Sequence, residues 1–316
     1  MIIALVTALT LLCSGIARAQ AGADAAPAFF KLVELAPGVF AATDIDGKAG
    51  ANAGFVIGDD GVLVVDSFYK PEAAQALLAE IHKRTALPLR FLVNTHYHID
   101  HVSGNRIFAA AGAQVIGQQR MHDWVQSENM KFLGSKATDA DRERIRNLLP
   151  PQLGYGQTLH VWLGRRSVLL RSWPGHTGSD TVAYVPDAGV MFGGDLLWSR
   201  SIPNLIDATV AQWTQSLERM AEDEGVRYNI IVPGHGEVAS QTELAEFKTY
   251  LTELRGVVAK LQRQGLAGDA LQDAALEELN ARYGSWRYNR LMRSNVRDMA
   301  DELAGTKRLP GTPQRR

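Results

Sequence analysis

The chain has 316 residues, of which 46% are hydrophobic and 21% are charged. This composition is typical of a globular protein with a full apolar core, and it excludes a disordered or collagen-like chain. Lys and Arg together number 33 and Asp and Glu 34, which gives a formal net charge of −1. That balance argues against a dedicated nucleic-acid-binding protein, which usually carries a basic excess.

The first residues are similar to a secretory signal peptide. Residues 1–16 are uncharged and predominantly apolar, and Ala17-Arg18-Ala19 places small residues at the two positions that a signal peptidase reads. The apolar stretch is shorter than the roughly 20 residues of a membrane-spanning helix. We therefore expect cleavage after Ala19, a periplasmic or secreted protein, and no stable membrane anchor afterwards. Cleavage also removes Cys13, the only cysteine, and with it any disulfide or thiolate ligand.

The first half of the chain alternates between predicted strands and helices. The predicted strands are, in chain order, Val39–Asp44, Gly54–Ile57, 62–65 and 91–93. Helical spacing with proline in the first turn predicts a helix over Pro71–Lys83. The stretch from Gln118 to Gly156 is long and weakly patterned. It is interpreted either as a wall of an active site or as a surface helix with a linker.

The second half repeats this scheme. Strands are predicted over Ser167–Trp173, Thr181–Val185, Val190–Phe192 and 230–232. A helix is predicted over Val210–Met220, and the chain beyond Glu237 is helical to about Leu303. Two strand-rich halves predict a layered α/β domain with two sheets and helices outside. A helical stripe is interpreted as packing on the protein's own core, with a homodimer seam as the alternative, and it comprises Leu251, Leu254, Val258 and Leu261.

Four predicted strands stop abruptly at side chains that can bind a metal ion. The segments are THYHIDH (95–101), PGHTGSD (174–180), GGDLLW (193–198) and PGHG (233–236). Loops that leave strand ends are where a rigid scaffold positions chemistry. These segments supply seven candidate ligands, namely His96, His98, Asp100, His101, His176, Asp195 and His235.

The spacing within THYHIDH indicates how these ligands divide between two ions. His96 and His98 lie two residues apart, so in an extended segment both project to the same side and can bind one ion. Asp100 and His101 lie where the strand turns and can face a second ion. Imidazole ligands that leave one position for water are typical of catalytic zinc.

This pattern resembles the metallo-β-lactamase-fold hydrolase superfamily over about residues 32–236. The superfamily's HxHxDH signature matches the residues of segment 95–101, and its later motifs match the other three segments in order. The resemblance implies a four-layer αββα sandwich with the metals at one edge. It further implies a first metal held by His96, His98 and His176, a second held by Asp100, His101 and His235, and Asp195 bridging both.

The resemblance also implies roles for two aspartates. Asp66 matches the family's early aspartate, and we interpret it as orienting a ligand histidine, with a solvated strand-end carboxylate as the alternative. Two zinc ions can share a hydroxide that is nucleophilic near neutral pH and attacks the carbonyl of a small-molecule substrate. Asp100 is the candidate catalytic residue, because it can orient this nucleophile or take its proton.

Other residues indicate which branches of the superfamily this chain resembles. The mature chain lacks the cysteine ligand that one group of zinc β-lactamases uses. An aspartate at position 195 is similar to the pattern of the thioesterase, lactonase and glyoxalase II branches. Residues 265–302 are similar to the tails of exported quinoprotein-relay or sulfur-oxidation-associated metallohydrolases. Trp198 and Asn204 are candidates for lining the pocket. Tyr97 is expected in the core, and Asp180 is expected to stabilise its loop by local hydrogen bonds.

These observations predict an exported dinuclear zinc hydrolase that acts on an ester, thioester, lactone or amide carbonyl. Three alternatives stay open: a β-lactam-hydrolysing metallo-β-lactamase, a mononuclear iron persulfide dioxygenase and a non-catalytic zinc-binding partner protein. The predicted organisation is a signal peptide (1–19), a catalytic domain (20–240), a C-terminal helical extension (241–303) and a loose tail (304–316).

Overall fold

The computed structural model describes residues 28–223 and 225–311. The predicted signal peptide, residues 1–19, lies outside the described residues. Within the described ranges, no helix combines the length and apolar character that crossing a bilayer requires.

The first sheet is built from the N-terminal half of the chain. Its seven strands lie side by side in chain order: β1 (Phe30–Ala36), β2 (Val39–Asp44), β3 (Ala53–Ile57), β4 (Val62–Val65), β5 (Leu89–Val93), β6 (Gln114–Gln118) and β7 (Leu153–Tyr155). Strands β1 to β4 are antiparallel, whereas β4 to β7 are parallel. Since β4 and β5 are parallel, the loops that follow them leave from the same edge of the sheet.

The second sheet is built from the C-terminal half. Its order is β12 (Ile230–His235), β11 (Val190–Trp198), β10 (Thr181–Val185), β9 (Arg166–Ser172) and β8 (Thr158–Leu163). Only β11 and β12 are parallel, and their register shifts near Gly194. The strand predicted over Val190–Phe192 therefore extends to Trp198, because an irregular register lets β11 continue past the buried glycines.

Nine α-helices lie within the described ranges. They are α1 (Pro71–Arg84), α2 (Ile99–Val102), α3 (Asn105–Ala110), α4 (Met121–Ser127), α5 (Asp139–Arg146), α6 (Val210–Glu222), α7 (Gln241–Arg263), α8 (Gly268–Tyr283) and α9 (Met292–Ala304). Helix α1 begins at a proline, which lacks the N–H that a first-turn residue leaves unpaired. Helix α7 begins with a reciprocal pair of bonds between Ser240 and Glu243.

Alternating side chains of each sheet face two different layers. In β4, Leu63 and Val65 pack between the sheets against Phe192, while Val62 and Val64 pack outward with Leu77 of α1. The second sheet likewise buries an outer face against α6 and α7. The period of two residues in a strand produces this division. The predicted αββα sandwich is confirmed.

The C-terminal helices share a core with the second sheet. The stripe Leu251, Leu254, Val258 and Leu261 is buried there, in one cluster with Met191 of β11 and Trp213 of α6. The stripe therefore packs within the chain itself. The division into a catalytic domain and a helical extension stays a prediction.

The segment after α9 makes specific contacts, although residues 304–316 were expected to form a loose tail. The Lys307 ammonium donates to the carbonyls of Leu205 and Ala208, each at 2.6 Å. The Trp124 indole donates to the Gly311 carbonyl at 2.9 Å. The segment is thus attached as far as Gly311, the last described residue.

Candidate metal centre

The seven predicted ligands converge where the two sheets meet. His96, His98, His176 and Asp195 each place a ligand atom within 4.8 Å of the others, and Asp100, His101 and His235 form a second such group. The first sheet supplies the ligands that follow β5, and the second sheet supplies the other three. All seven side chains except that of Asp100 are buried.

Asp195 lies between the two groups, with one oxygen toward each. Its Oδ2 is 3.1 Å from Nε2 of His176 and 3.7 Å from Nε2 of His96. Its Oδ1 is 3.1 Å from Nε2 of His101 and 3.5 Å from Nε2 of His235. A carboxylate with this placement can offer one oxygen to each of two neighbouring ions.

Close packing at two glycines permits this placement. A Cβ on Gly234 would lie 1.8 Å from Oδ1 of Asp195, so any side chain there would displace the carboxylate. Gly194 has a φ of 51°, and a Cβ there would lie 2.5 Å from that of Thr95. Both positions therefore require glycine, for space in the first case and for backbone conformation as well in the second.

Asp66 fixes the orientation of His101. Its Oδ2 accepts from Nδ1 of His101 at 2.8 Å and from the Thr95 hydroxyl at 2.7 Å, and its Oδ1 accepts from the Thr95 amide at 2.8 Å. The His101 carbonyl accepts from the side chains of Asn94 and Ser67, both at 3.0 Å. Ring and backbone are thus both held, and Nε2 of His101 faces the other ligands. An orienting role for Asp66 requires this contact, and the role itself stays a prediction.

Asp180 orders the loop that presents His176. Its Oδ2 accepts from the amides of Gly175 and Thr177, each at 2.8 Å, and its Oδ1 accepts from the Thr177 hydroxyl. These are the local bonds that the sequence predicted. Burial raises the pKa of Asp180 to about 6.

Two aromatic side chains pack against the ring of His235. Trp198 stacks on the His235 ring with centroids 4.0 Å apart, and Tyr288 meets the same ring edge-on at 5.7 Å.

Tyr97 is fully buried and points away from the ligand groups, as expected, to donate its hydroxyl proton to Asp207.

Burial and neighbouring carboxylates set the charges of the cluster. Burial alone would lower the pKa of His101, yet Asp195 and Asp66 raise it well above the ordinary value. Burial would also lower the pKa of His235, but Asp195 raises it to about 9. Burial and the adjacent His101 lower the pKa of His96 by more than Asp195 raises it, so the pKa lies well below the ordinary value. The carboxylates of Asp66 and Asp195 thus favour positive charge on their neighbours in this buried site.

Buried polar atoms without partners show that the cluster fits metal ions. Among the described residues, Nε2 of His96, Nε2 of His101, both ring nitrogens of His235 and Oδ1 of Asp195 have no hydrogen-bond partner. Buried polar atoms are almost always satisfied, so several unpaired ones at one point require an explanation. Imidazole nitrogens and carboxylate oxygens are the donors that zinc and related divalent ions use. The donor set therefore suits a dinuclear metal centre.

A cleft of about 280 Å³ opens onto this cluster. Asp100 and Asp195 lie in its lining, together with Trp198 and Asn204, which the sequence suggested as pocket residues. Phe132 also lines the cleft, so the weakly patterned stretch 118–156 does contribute to its wall. The remaining lining residues are Gly50, Tyr69, His98 and Ile99.

One buried residue near the ligands was missed from the sequence. Asp207 is 5% exposed, and its Oδ2 lies 2.9 Å from Nε2 of His98. In the sequence it lies shortly before the helix predicted from Val210, where an aspartate indicates only a helix start. A spatial contact across 109 positions leaves no local signal that could have identified it.

The comparisons with known proteins agree with this site. Residues 46–235 match the family described as the metallo-beta-lactamase superfamily, and this range contains all seven ligand candidates. The chain belongs to the metallo-β-lactamase superfamily. It is therefore a superfamily hydrolase with a His/Asp metal-binding cluster, as the sequence predicted.

Curated relatives carry two different names. A type 2 metallo-beta-lactamase from Bacillus cereus is 25% identical over 62% of this chain and 71% of its own length. Hydroxyacylglutathione hydrolases from Brucella anthropi and Rhodobacter capsulatus are 31% and 33% identical, over 54% and 51% of this chain. The matched region spans only 56% and 53% of those two proteins.

Solved structures share the fold. A metallo-beta-lactamase from Pontibacter korlensis aligns with a TM-score of 0.58 and 21% identity, covering 71% of this chain and 99% of that one. A double mutant of the sec-alkyl sulfatase PisA1 aligns with a TM-score of 0.69 and 19% identity, covering 87% of this chain and 50% of that one. These likenesses support the αββα architecture alone.

Proposed function

We propose that the protein is a dinuclear zinc hydrolase that attacks the carbonyl of an ester, thioester, lactone or amide. The observation that carries this proposal is Asp195, whose two oxygens face two different histidine groups. His96, His98 and His176 would hold one ion, and Asp100, His101 and His235 the other, with Asp195 common to both. Nitrogen and oxygen donors without a thiolate suit zinc in a hydrolytic site.

Bound divalent ions would supply carbonyl polarisation and a water molecule with a pKa near 7. The chain itself positions the reactants. The Asp100 side chain is 28% exposed at the cleft, and its Oδ2 lies 3.3 Å from Nε2 of His235. Burial raises the pKa of Asp100, but His101 and His235 lower it by more. An ionised carboxylate here can orient the attacking water and accept its proton.

The cleft favours a substrate with an uncharged, apolar group beside the carbonyl. Tyr69, Ile99, Phe132 and Trp198 provide apolar surface, and the Asn204 amide provides a neutral polar contact. Among the described residues, no Lys or Arg lines the cleft. Besides any metal ion, sites that bind an anionic substrate usually present an Arg or Lys side chain to its carboxylate. This lining therefore supports a neutral acyl compound over an anionic one.

The relatives support hydrolysis at a carbonyl and keep β-lactams as a second candidate. Of the three curated relatives described above, two are named for hydroxyacylglutathione and one for β-lactams. Both kinds of substrate carry carboxylates, for which the described lining of the cleft offers no Lys or Arg side chain. We therefore rank neutral esters, thioesters and lactones above both.

Metal content and turnover test the proposal together. We expect protein purified without added metal to contain about two zinc ions per chain by elemental mass spectrometry. Turnover is then measured on aryl esters, an acyl thioester, a lactone and a chromogenic cephalosporin. His96→Ala and His235→Ala should lose metal and activity. The matched control is His160→Ala, since His160 is an exposed histidine on β8 outside the cluster.

Two results would contradict the proposal. One iron per chain with consumption of a persulfide would identify a dioxygenase instead. Two zinc ions without turnover of any substrate in the panel would favour a non-catalytic zinc-binding protein.

We further propose that the protein is exported. The support is the apolar segment 1–16 followed by Ala17-Arg18-Ala19. Expression of the full chain in a Gram-negative host should place it in the periplasmic fraction, with Gln20 as the N-terminal residue by Edman sequencing. Recovery of uncleaved chain from the cytoplasm would refute export.

A further inference from the structure

Asp207 lies directly behind His98, on the side away from the other ligands. Its Oδ2 accepts from Nε2 of His98 at 2.9 Å and from the Tyr97 hydroxyl. Its Oδ1 accepts from the Lys131 ammonium at 2.6 Å. A buried carboxylate with three donors around it is fully engaged and has little freedom to move.

This contact determines which ring nitrogen of His98 is available. Because Nε2 donates its proton to Asp207, Nδ1 carries the lone pair. Nδ1 lies 3.0 Å from Nε2 of His176, inside the first ligand group. His101 is held the opposite way, with Nδ1 toward Asp66 and Nε2 toward the cluster. His98 therefore needs a carboxylate of its own to present Nδ1.

Hydrogen bonds from the C-terminal segment (residues 302–307) hold the loop that carries Asp207 on both sides of that residue. Glu302 of α9 accepts from the amides of Val210 and Ala211, at 2.8 and 3.0 Å. Lys307 donates to the carbonyls of Leu205 and Ala208. These four bonds fix the backbone immediately before and after Asp207. Through this loop and Asp207, the C-terminal segment is connected to His98, which lies about 200 positions earlier in the sequence.

We propose that Asp207 is a positioning residue for the first metal ion, acting through His98, and that Glu302 and Lys307 hold it in place. This inference rests on the proposed dinuclear centre. It assigns a function to the C-terminal segment, which stabilises the geometry of the metal centre from outside the cleft. Carboxylates that orient a ligand histidine typically contribute 10–100-fold to metal affinity.

A metal titration tests this role without relying on activity. Metal-free protein is titrated with zinc against a chromophoric chelator, and with cobalt(II) while its visible absorption is recorded. Wild-type protein should bind two equivalents. Asp207→Asn and Asp207→Ala should weaken one equivalent roughly 10–100-fold and alter its cobalt spectrum, while the other equivalent is unchanged. A general loss of structure would weaken both.

Lys307→Met leaves Asp207 intact but releases its loop, and it should weaken the same equivalent roughly three- to thirtyfold. Two controls resemble these variants but lie elsewhere. Asp223→Asn breaks an ion pair with Arg171, and Lys248→Met breaks one with Glu218. Both should bind zinc as the wild type does.

The outcomes separate the two proposals. If wild-type protein binds fewer than two equivalents, the dinuclear centre is wrong and the role of Asp207 fails with it. If two equivalents bind and the Asp207 variants match the wild type within twofold, the positioning role alone is overturned. Should neither Asp207 variant fold, Lys307→Met decides, and an affinity within twofold of the wild type overturns the proposal.

Discussion

Replacing Asp66 should damage the second metal site while leaving the first one intact. Asp66 accepts three hydrogen bonds, two from Thr95 and one from Nδ1 of His101. It is 2% exposed and has a φ of 59°, in the left-handed region. Two substitutions separate these features. Asparagine retains the shape and tolerates the backbone conformation, whereas alanine removes the side chain and strains the backbone.

The structure sets the size of each effect. A hydrogen bond to a charged group contributes about 1.5–3 kcal/mol, and a left-handed alanine costs about 1–2 kcal/mol. Since the three bonds share one carboxylate and are not additive, Asp66→Ala should lower the free energy of unfolding of the metal-free protein by about 3–6 kcal/mol. Asp66→Asn still accepts from the Thr95 amide and should lose about 1–2 kcal/mol.

Metal affinity should change at one equivalent only. Asp66→Asn places an amide against Nδ1 of His101 and no longer fixes that ring, which predicts a loss of roughly 10–100-fold. Urea unfolding measures the stability, and zinc titration against a chelator measures the affinity. If Asp66→Ala unfolds within 1 kcal/mol of the wild type and binds both equivalents normally, the orienting role of Asp66 is refuted.

Three further predictions concern removal of the metals, the buried core and the lining of the cleft. Chelation of the metals should lower the melting temperature by about 5–10 °C, since a ligand at a thousandfold excess over its Kd stabilises by about 4 kcal/mol. Trp213→Ala should cost about 3–5 kcal/mol in urea unfolding, because Trp213 is fully buried and donates to the Leu196 carbonyl at 3.1 Å. Phe132→Ala should raise KM for a hexanoyl ester by roughly tenfold and leave an acetyl ester nearly unchanged. Equal effects on both esters would contradict the proposed apolar contact.

The sequence could supply the candidate ligands because their signal is local. His96, His98, Asp100 and His101 occupy one short segment directly after a buried strand, and the other three ligands also lie in or directly after apolar strands. The architecture was predictable for a related reason, since buried strands and amphipathic helices each have their own period. The structure places all seven side chains together, and their role as ligands stays a prediction until metal is measured.

Features that depend on distant contacts could not be predicted. Strand β7 has only three residues, Leu153–Tyr155, and takes its conformation from pairing with β6 rather than from a pattern of its own. Asp207 precedes a helix and has no motif around it. The contact between Lys307 and the loop at 205–208 joins positions about a hundred apart. Only the folded chain brings such residues into contact.

The two carboxylates behind the ligand histidines show how the site is divided between the sheets. Asp66 follows β4 of the first sheet and holds His101, while Asp207 follows β11 of the second sheet and holds His98. Asp195, from the second sheet, faces His101 of the first at 3.1 Å. Each ligand group therefore contains side chains of both sheets. Metal ions bound here would join the sheets at their common edge, so their removal should lower the stability of the whole sandwich rather than loosen one loop.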